Sequence, residues 1–529
     1  MGDKAFNLLD EGWIFVTYTN GDSDEVSLAD VFYRANEIKS LSGELPAQDA
    51  TILRLLLAVL HSVFARVDET GEPHDDYEDY DMLELWKRLW DSGRFPHEVI
   101  GAYLESYRER FWLIHPERPF YQIAGIDKGT RYSASKLIGD LSESSNKKRL
   151  FQNRSGTAKD CIEYAQAVRW LIHLNAFDDT SSKASVRGQN MPSPGAGWLG
   201  KLGIIYASGN NLFETLMLNF VMLDDAGYIW ENGDATWERD VPRMEERTEI
   251  PLPSSQAELL TLQSRRILLE QADGMVTGFR LLGGDFFQKE NAFSEQMTLW
   301  RRKKENKDEY TPKRHDSTKQ FWRDFTPLFA KTESVRTPGV ITWLTTLRAN
   351  KLIESRHVKI CAVSIQYGDK DFFVTDAWED SISINTDLLS TLGDGWISRI
   401  TDLLETTEKL TWALAILAGN IAMASGDSAG VPNKRKSAKE EAYFNLDMPF
   451  RAWLSAIKPA TDDKEEKCSD WKETARSIIF KLGEELINQA GPQAFVGREK
   501  ENELLTVSRA YINFKKIVAG IMRKNIEGS

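Results

Sequence analysis

The sequence predicts an α+β protein, with a large mixed α/β N-terminal domain over residues 1–385 and a C-terminal four-helix bundle over residues 386–529. Two observations carry that expectation. Up to about Ser383, short alternating apolar runs are interspersed with helical ones, the texture of strands and helices sharing one layered core. Beyond it, residues 387–423, 434–457, 471–488 and 498–523 repeat apolar side chains at helical spacing, with breaks at 426–432, 458–463 and Gly491-Pro492. Four long helices with short links form an up-down bundle. A chain of 529 residues is also too long for one compact core.

In order, residues 6–18 read as the entry to a strand pair, followed by the turn Asn20-Gly21-Asp22. Residues 27–38 read as a short helix capped by Ser27. Residues 49–67 are a stronger helix. Ile52, Leu55, Leu56, Val59, Leu60 and Val63 recur at helical spacing, and Leu53, Leu57 and Phe64 make it apolar nearly all round, so burial is expected. Residues 68–81 are acidic and turn-rich, the pattern of a solvated loop rather than a carboxylate metal cluster. Residues 82–91 and 96–111 read as two helices.

His115-Pro116-Glu117-Arg118-Pro119-Phe120-Tyr121-Gln122 then opens the stretch that organises the domain. A basic, Ser-rich segment at 146–156 follows, then a helix-like run, a glycine loop at 193–203 and an apolar helix at 212–222. Two loops rich in donors and bare backbone flank a packed element, which suits gripping a polymer better than enclosing a small substrate. Further on, 241–253 is irregular, 258–270 is strand- or helix-like, and 279–287 contains the turn Gly283-Gly284. A polar loop spans 300–319 and a helix 341–356. Residues 358–367 and 372–378 form a hairpin around Gly368-Asp369-Lys370-Asp371.

Composition narrows the function classes. Lys and Arg total 66 against 80 Asp and Glu, a formal charge of −14, which argues against a free-standing, non-specific nucleic-acid binder. A subunit of a larger complex that touches nucleic acid through a few loops remains compatible. Cys161, Cys361 and Cys468 are widely separated, with no zinc-knuckle spacing and no disulfide framework, so a reducing cytoplasm is expected. No signal core and no run apolar enough for a membrane span is read, so no membrane partner is expected.

Two motif matches invite a catalytic reading. Gly195-Ala196-Gly197-Trp198-Leu199-Gly200 fits G-x-G-x-x-G, the basis of an alternative reading as a nucleotide-binding enzyme using the 195–200 loop. A dinucleotide site needs a buried strand directly before the motif, whereas Met191-Pro192-Ser193-Pro194 precedes it here. Gly426-Asp427-Ser428-Ala429-Gly430 fits G-x-S-x-G but lies between two helices, where no nucleophile elbow forms. The seven histidines make no H-E-x-x-H pattern, His315-Asp316 is an isolated pair, and there is no Walker A loop. No catalytic residue, cofactor or metal is therefore assigned. Nucleic-acid features are more numerous: Lys147-Lys148-Arg149 with Phe151 and Arg154, Lys289 after Phe286-Phe287-Gln288, and Lys370 at a hairpin apex. A hairpin acting on base steps would suit minor-groove or duplex-opening work.

His115-Pro116-Glu117-Arg118-Pro119-Phe120, Leu150-Phe151-Gln152-Asn153, Pro194-Gly195-Ala196-Gly197-Trp198-Leu199-Gly200 and Asn211-Leu212-Phe213-Glu214-Thr215 together resemble the CasA family. This family is the large subunit of the type I-E CRISPR surveillance complex, Cascade. The opening Asn7-Leu8-Leu9-Asp10-Glu11-Gly12-Trp13-Ile14 also resembles the family's start, and the likeness runs over essentially the whole length. The resemblance implies a non-catalytic subunit that recognises the protospacer-adjacent motif in double-stranded DNA, helps open the duplex and recruits the helicase-nuclease. It implies that a loop at 146–160 anchors the subunit at the guide RNA 5′ handle through Phe151 and neighbouring Asn153. Gly195, Gly197 and Gly200 would read the motif by close backbone approach, Lys289 would enter the minor groove, and Gly368, Asp369 and Lys370 would form a strand-separating wedge. The bundle would contact the small-subunit dimer, beside the backbone subunits. This chain departs from some relatives at the wedge tip, where Asp369-Lys370-Asp371 replaces a Gln, in having Pro192 and Pro194 beside the glycines, and in lacking a clustered-cysteine zinc site.

Overall fold

A computed structural model describes the chain except residues 1–3, 75–76, 145–147, 149–151, 182, 186–194, 241, 331–334, 501–502 and 525–529. The chain divides into two compact units. One comprises Met1–Ser317, Lys331–Leu352 and Lys359–Ser381, and the other Thr318–Ala330, Ile353–Val358 and Ile382–Ser529.

The first unit is built around the helix Pro46–Phe64, which has proline in its first turn and no polar face. By length and composition this helix could cross a membrane, contrary to the expectation that no run qualifies, and 94% of its apolar window is buried inside the protein. The helices Tyr164–Phe177 and Gln256–Leu260 pack against it. Within this apolar setting the Arg54 guanidinium donates to both carboxylate oxygens of Glu295, at 2.7 and 3.0 Å. A buried pair of this kind has to be matched in geometry, because neither partner has water to fall back on.

Small sheets surround the helix. Met275–Gly283 lies between Thr130–Ser133 and Arg265–Ala272, antiparallel to both. Ile204–Ser208 pairs antiparallel with His357–Tyr367, which has Val374–Asn385 on its other side, so the expected hairpin is present and longer than its apolar pattern indicated.

Several elements differ from expectation because their partners are distant in sequence. Ala5–Asn7 pairs with Trp112–Ile114, while Ile14–Tyr18 pairs across the expected turn with Ser23–Val26. Ser27 caps a helix as expected, its hydroxyl accepting from the Asp30 amide at 3.1 Å, but the helix ends at Tyr33 and Ile38–Leu41 becomes a strand. The ambiguous 258–270 run resolves into a helical turn, Gln256–Leu260, and the strand Arg265–Ala272. Gly283-Gly284 is no hairpin turn, since Asp285–Phe287 pairs in another sheet, parallel to Arg247–Ile250. A side chain at Gly284 would strike the Ser264 and Arg265 backbone. The polar 300–319 segment contains a hairpin of Trp300–Arg302 with Tyr310–Pro312. The expected helix at 341–356 is shorter, Gly339–Ala349.

In the second unit, Asp394–Ser425 packs against Val431–Ser455, Lys464–Asn488 and Val507–Lys524. Gly426, at φ +88°, ends the first of these helices in a left-handed cap, so the G-x-S-x-G match is an interhelical turn. The first expected helix starts later than 387 because Thr386–Leu389 is a separate 3-10 turn. The last starts at Val507, after a short hairpin of Arg498–Lys500 with Glu503–Leu505. Trp471 is buried in this core, edge-on to Phe450 and tilted against Trp453, with its indole N–H donating to Thr407 Oγ1 at 3.0 Å.

Candidate nucleic-acid interface

The helix Tyr164–Phe177 is almost wholly buried and delivers Asp178, Asp179 and Thr180 at its C-terminal end. All three are buried, as are Lys136, Lys183 and Arg265 around them. Lys183 Nζ lies 2.9 Å from Asp178 Oδ2 and 3.1 Å from Asp179 Oδ1. Lys136 Nζ lies 2.8 Å from Asp179 Oδ2, and the Arg265 Nε donates to Asp178 Oδ2 at 2.6 Å. Burial alone would push the Asp178 carboxyl up, but Lys183, Lys136 and Arg265 outweigh it and hold the group at about 2. Burial opposes the charge of Asp179 as well, and Lys136 and Lys183 hold its carboxyl well below the ordinary range. With three bases on two acids, the cluster keeps one positive charge.

This cluster ties two of the expected loops together. Arg265 Nη2 donates to the Asp179 carbonyl at 2.9 Å and to the Gly195 carbonyl at 3.1 Å. The Gly197 amide donates to the Asp178 carbonyl at 2.9 Å. On the other side, Thr180 Oγ1 donates to the Lys370 carbonyl at 2.7 Å and its amide to the Asp371 carbonyl at 3.1 Å. The glycine loop and the hairpin apex are thus fastened to the same three residues.

The three glycines do different things. Gly197 and Gly200 are buried and only Gly195 reaches the surface. A side chain at Gly197 would land on the Ala176 carbonyl, and one at Gly200 on the Tyr367 hydroxyl, which itself donates to the Phe177 carbonyl at 2.7 Å. Trp198 is anchored beneath them, its indole N–H donating to Glu295 Oε2 at 2.8 Å. Gly195, at φ +81°, has a conformation other residues rarely take, and its Cα faces the Lys201 side chain. The segment then continues through the 3-10 turn Trp198–Lys201 into the strand Ile204–Ser208. That order, glycines before the strand, is the reverse of a dinucleotide site.

Lys289 is exposed just after the strand Asp285–Phe287, whose Phe287 packs edge-on against Trp198. At the hairpin apex, Lys370 and Asp371 both adopt positive φ, 53° and 58°, strained conformations for residues with a Cβ. A side chain at Gly368 would meet the ring of Phe373. Phe372 and Phe373 are 41% and 43% exposed beside the apex. Asp369 lies in the same turn, its carbonyl accepting from the Phe372 amide at 3.1 Å.

In the 146–160 loop, Phe151 lies outside the described residues, Asn153 is exposed, and Arg154 Nε approaches Asp140 Oδ2 at 3.9 Å. Its far end is held by Lys159, whose Nζ donates to Glu143 Oε2 at 2.6 Å. In the acidic 68–81 segment, Glu78 and Asp81 form a capping box for the helix Asp79–Ser92, and no metal-binding group of carboxylates, histidines or cysteines occurs among the described residues.

Sequence reasoning missed Asp178, Asp179, Thr180, Lys201 and Arg314. Burial hides the first three. Lys201 was visible as the one charge inside Gly200-Lys201-Leu202-Gly203, and Arg314 only through contact: it pairs with Asp371 at 2.8 Å and lies over the Tyr367 ring at 5.3 Å.

A family model described as CRISPR-associated protein Cse1 matches residues 7–482. The chain is 30% identical over 335 residues to CRISPR-associated protein CasA/Cse1 of Thermus thermophilus, an alignment spanning 62% of this chain and 61% of that protein's length. The fold is similar to the crystal structure of Thermobifida fusca Cse1, with a TM-score of 0.85, 28% identity and 98% of each chain covered. A chain of a structure described as a CRISPR RNA-guided surveillance complex shares the fold alone, with a TM-score of 0.73 at 16% identity over 98% of this chain and 100% of that one.

Proposed function

This chain belongs to the CRISPR-associated Cse1 family, and on that premise we propose that it works as the large subunit of a type I-E surveillance complex that recognises a protospacer-adjacent motif in double-stranded DNA. In this reading it also helps open the duplex for guide pairing and recruits the helicase-nuclease, without catalysing a reaction itself. The observation that carries the reading is the fastening of Gly195 and the 368–371 apex to one buried charge cluster. A rigid mount of that kind lets a backbone loop and a hairpin meet the same short stretch of duplex in fixed register.

Guide pairing supplies most of the sequence specificity, so a shallow reader of a short motif suffices. The minor groove presents a degenerate pattern that suits tolerance of motif variants. Gly195, which reaches the surface, would make backbone contact and exposed Lys289 groove contact, and exposed Phe372 and Phe373 would stack against an opened base step. Phe151, Asn153 and Arg154 would hold the guide RNA 5′ handle, and the helical unit would face the small-subunit dimer and backbone subunits.

The test is target binding by guide-loaded complex lacking this subunit, with and without the purified protein added back. Duplexes with the correct and a scrambled adjacent motif are compared at one salt concentration. Motif-dependent binding restored by add-back supports the reading, and Lys289→Ala and Phe151→Ala should each weaken it with an unchanged melting temperature. Add-back without effect overturns it.

A further inference from the structure

The structure assigns a binding site for an organic cation of the guanidinium class to the cavity at the C-terminal end of the helix Pro46–Phe64, within the first unit. The cavity holds about 190 Å³, room for a small organic group rather than a single water. Its wall includes His61 from the last turn of that helix, together with His74, Tyr77, Phe220, Trp230 and Glu231.

The first observation is a pair of unused acceptors. His61 is only 8% exposed, its ring meets Phe220 edge-on at 4.7 Å, and no hydrogen bond to either ring nitrogen occurs among the described residues. Burial without a compensating partner pushes this imidazole down to about 3, so the ring is neutral and one nitrogen is a bare acceptor. In His74, Nε2 donates to the Phe64 carbonyl at 3.0 Å, which leaves Nδ1 of the neutral ring as a second acceptor. Buried polar groups are nearly always paired, so two free acceptors in one cavity wall fit a ligand that brings N–H donors.

The second observation is charge. The helix presents its carbonyl end here, which favours a cation. Arg66, also in the wall, donates to both carboxylate oxygens of Glu238 at 2.5 and 3.2 Å, with Asp234 3.9 Å away. Exposed Glu231 adds a further acid, held by the Ser254 hydroxyl. One base is thus set against three acids. The third is shape. His74 is stacked on Tyr77 at 4.1 Å, and the Trp230 indole N–H donates to the Val221 carbonyl at 2.7 Å, which fixes its ring. Flat aromatic faces beside acceptors suit a guanidinium, which is planar, donor-rich and weakly hydrated, better than an ammonium.

The guanidinium can arrive as a free small molecule or as the arginine side chain of a partner protein, and the experiment separates the two. Calorimetric titration of the purified chain uses agmatine, with N-butylurea as its uncharged planar control. Wild type should bind agmatine and not the urea. His61→Leu and Glu231→Gln should each weaken agmatine about tenfold, the loss of one hydrogen bond to a charged group. His61→Leu should melt no lower than wild type, because the imidazole has no partner to lose; if it fails to fold, Glu231→Gln on the surface decides. No agmatine binding, equal binding of the urea, or undiminished affinity in either folded variant overturns the proposal. Saturating agmatine is then added while the subunit associates with guide-loaded complex. Weaker association of wild type, with no agmatine effect on Glu231→Gln, identifies a partner's arginine as the occupant, and unchanged association identifies a free guanidinium compound. The titration uses the chain alone, so it decides on the cavity even if add-back overturns the subunit reading.

Discussion

Asp178 and Asp179 are ionised with almost no water around them, and that gives their contribution to stability a definite sign with pH. Their folded carboxyls lie below the ordinary 3.8, Asp178 at about 2, so the stabilisation is present above pH 3.8 and is lost as pH falls from there towards 2. Asp179→Asn leaves Lys136 and Lys183 with Asp178 as their remaining buried partner and should cost about 3–5 kcal/mol, read from the urea midpoint. Lys201 behaves oppositely. Its folded value of about 8 lies below the ordinary 10.5, so the unfolded chain holds more protons between those limits and stability rises with pH across that window. Wild type should gain stability relative to Lys201→Met between pH 8 and 10, measured by denaturant unfolding at each pH. Gly197→Ala puts a methyl group on the Ala176 carbonyl, which is backbone and cannot swing aside. A loss of about 2 kcal/mol or more is expected in the same assay.

Among elements, the hairpin His357–Tyr367 with Val374–Asn385 shows how a local signal and a distant tether combine. The apolar runs and Gly368 are enough to announce two strands and a turn. The strained pair Lys370 and Asp371, however, is held by Thr180, which no periodicity connects to them. Thr180→Val removes one hydroxyl donor, leaves the backbone bond to Asp371, and should cost only about 1 kcal/mol. On the proposed function it should nevertheless lower motif-dependent binding in the add-back assay, because the apex is free to drift from the glycine loop. An unchanged affinity would mean that the tether has no part in recognition.

For the whole molecule, the acid excess and the exposed bases act in opposite directions. A chain of −14 repels duplex DNA at long range, while an exposed base such as Lys289 would attract phosphate only at contact. The isolated protein should therefore bind duplex weakly, with fluorescence anisotropy showing little change at about 0.1 M salt, where the Debye length is about 10 Å. The same duplex should bind once the protein sits on a guide-loaded complex that supplies the long-range attraction.

Periodicity was enough to find the buried helix Pro46–Phe64, the hairpin and the long C-terminal helices, because each is specified by side chains a few residues apart. Order and spacing of short motifs were enough to point to the family. Neither could show that Gly197 and Gly200 are packing glycines while Gly195 faces the surface, since the same G-x-G-x-x-G pattern serves both uses. Nor could they find the cluster of Lys136, Asp178, Asp179, Lys183 and Arg265. Its members come from separate elements, and their charges become compatible only once burial brings them within hydrogen-bonding distance. Electrostatic partnership depends on separation in space, and only the folded chain determines that.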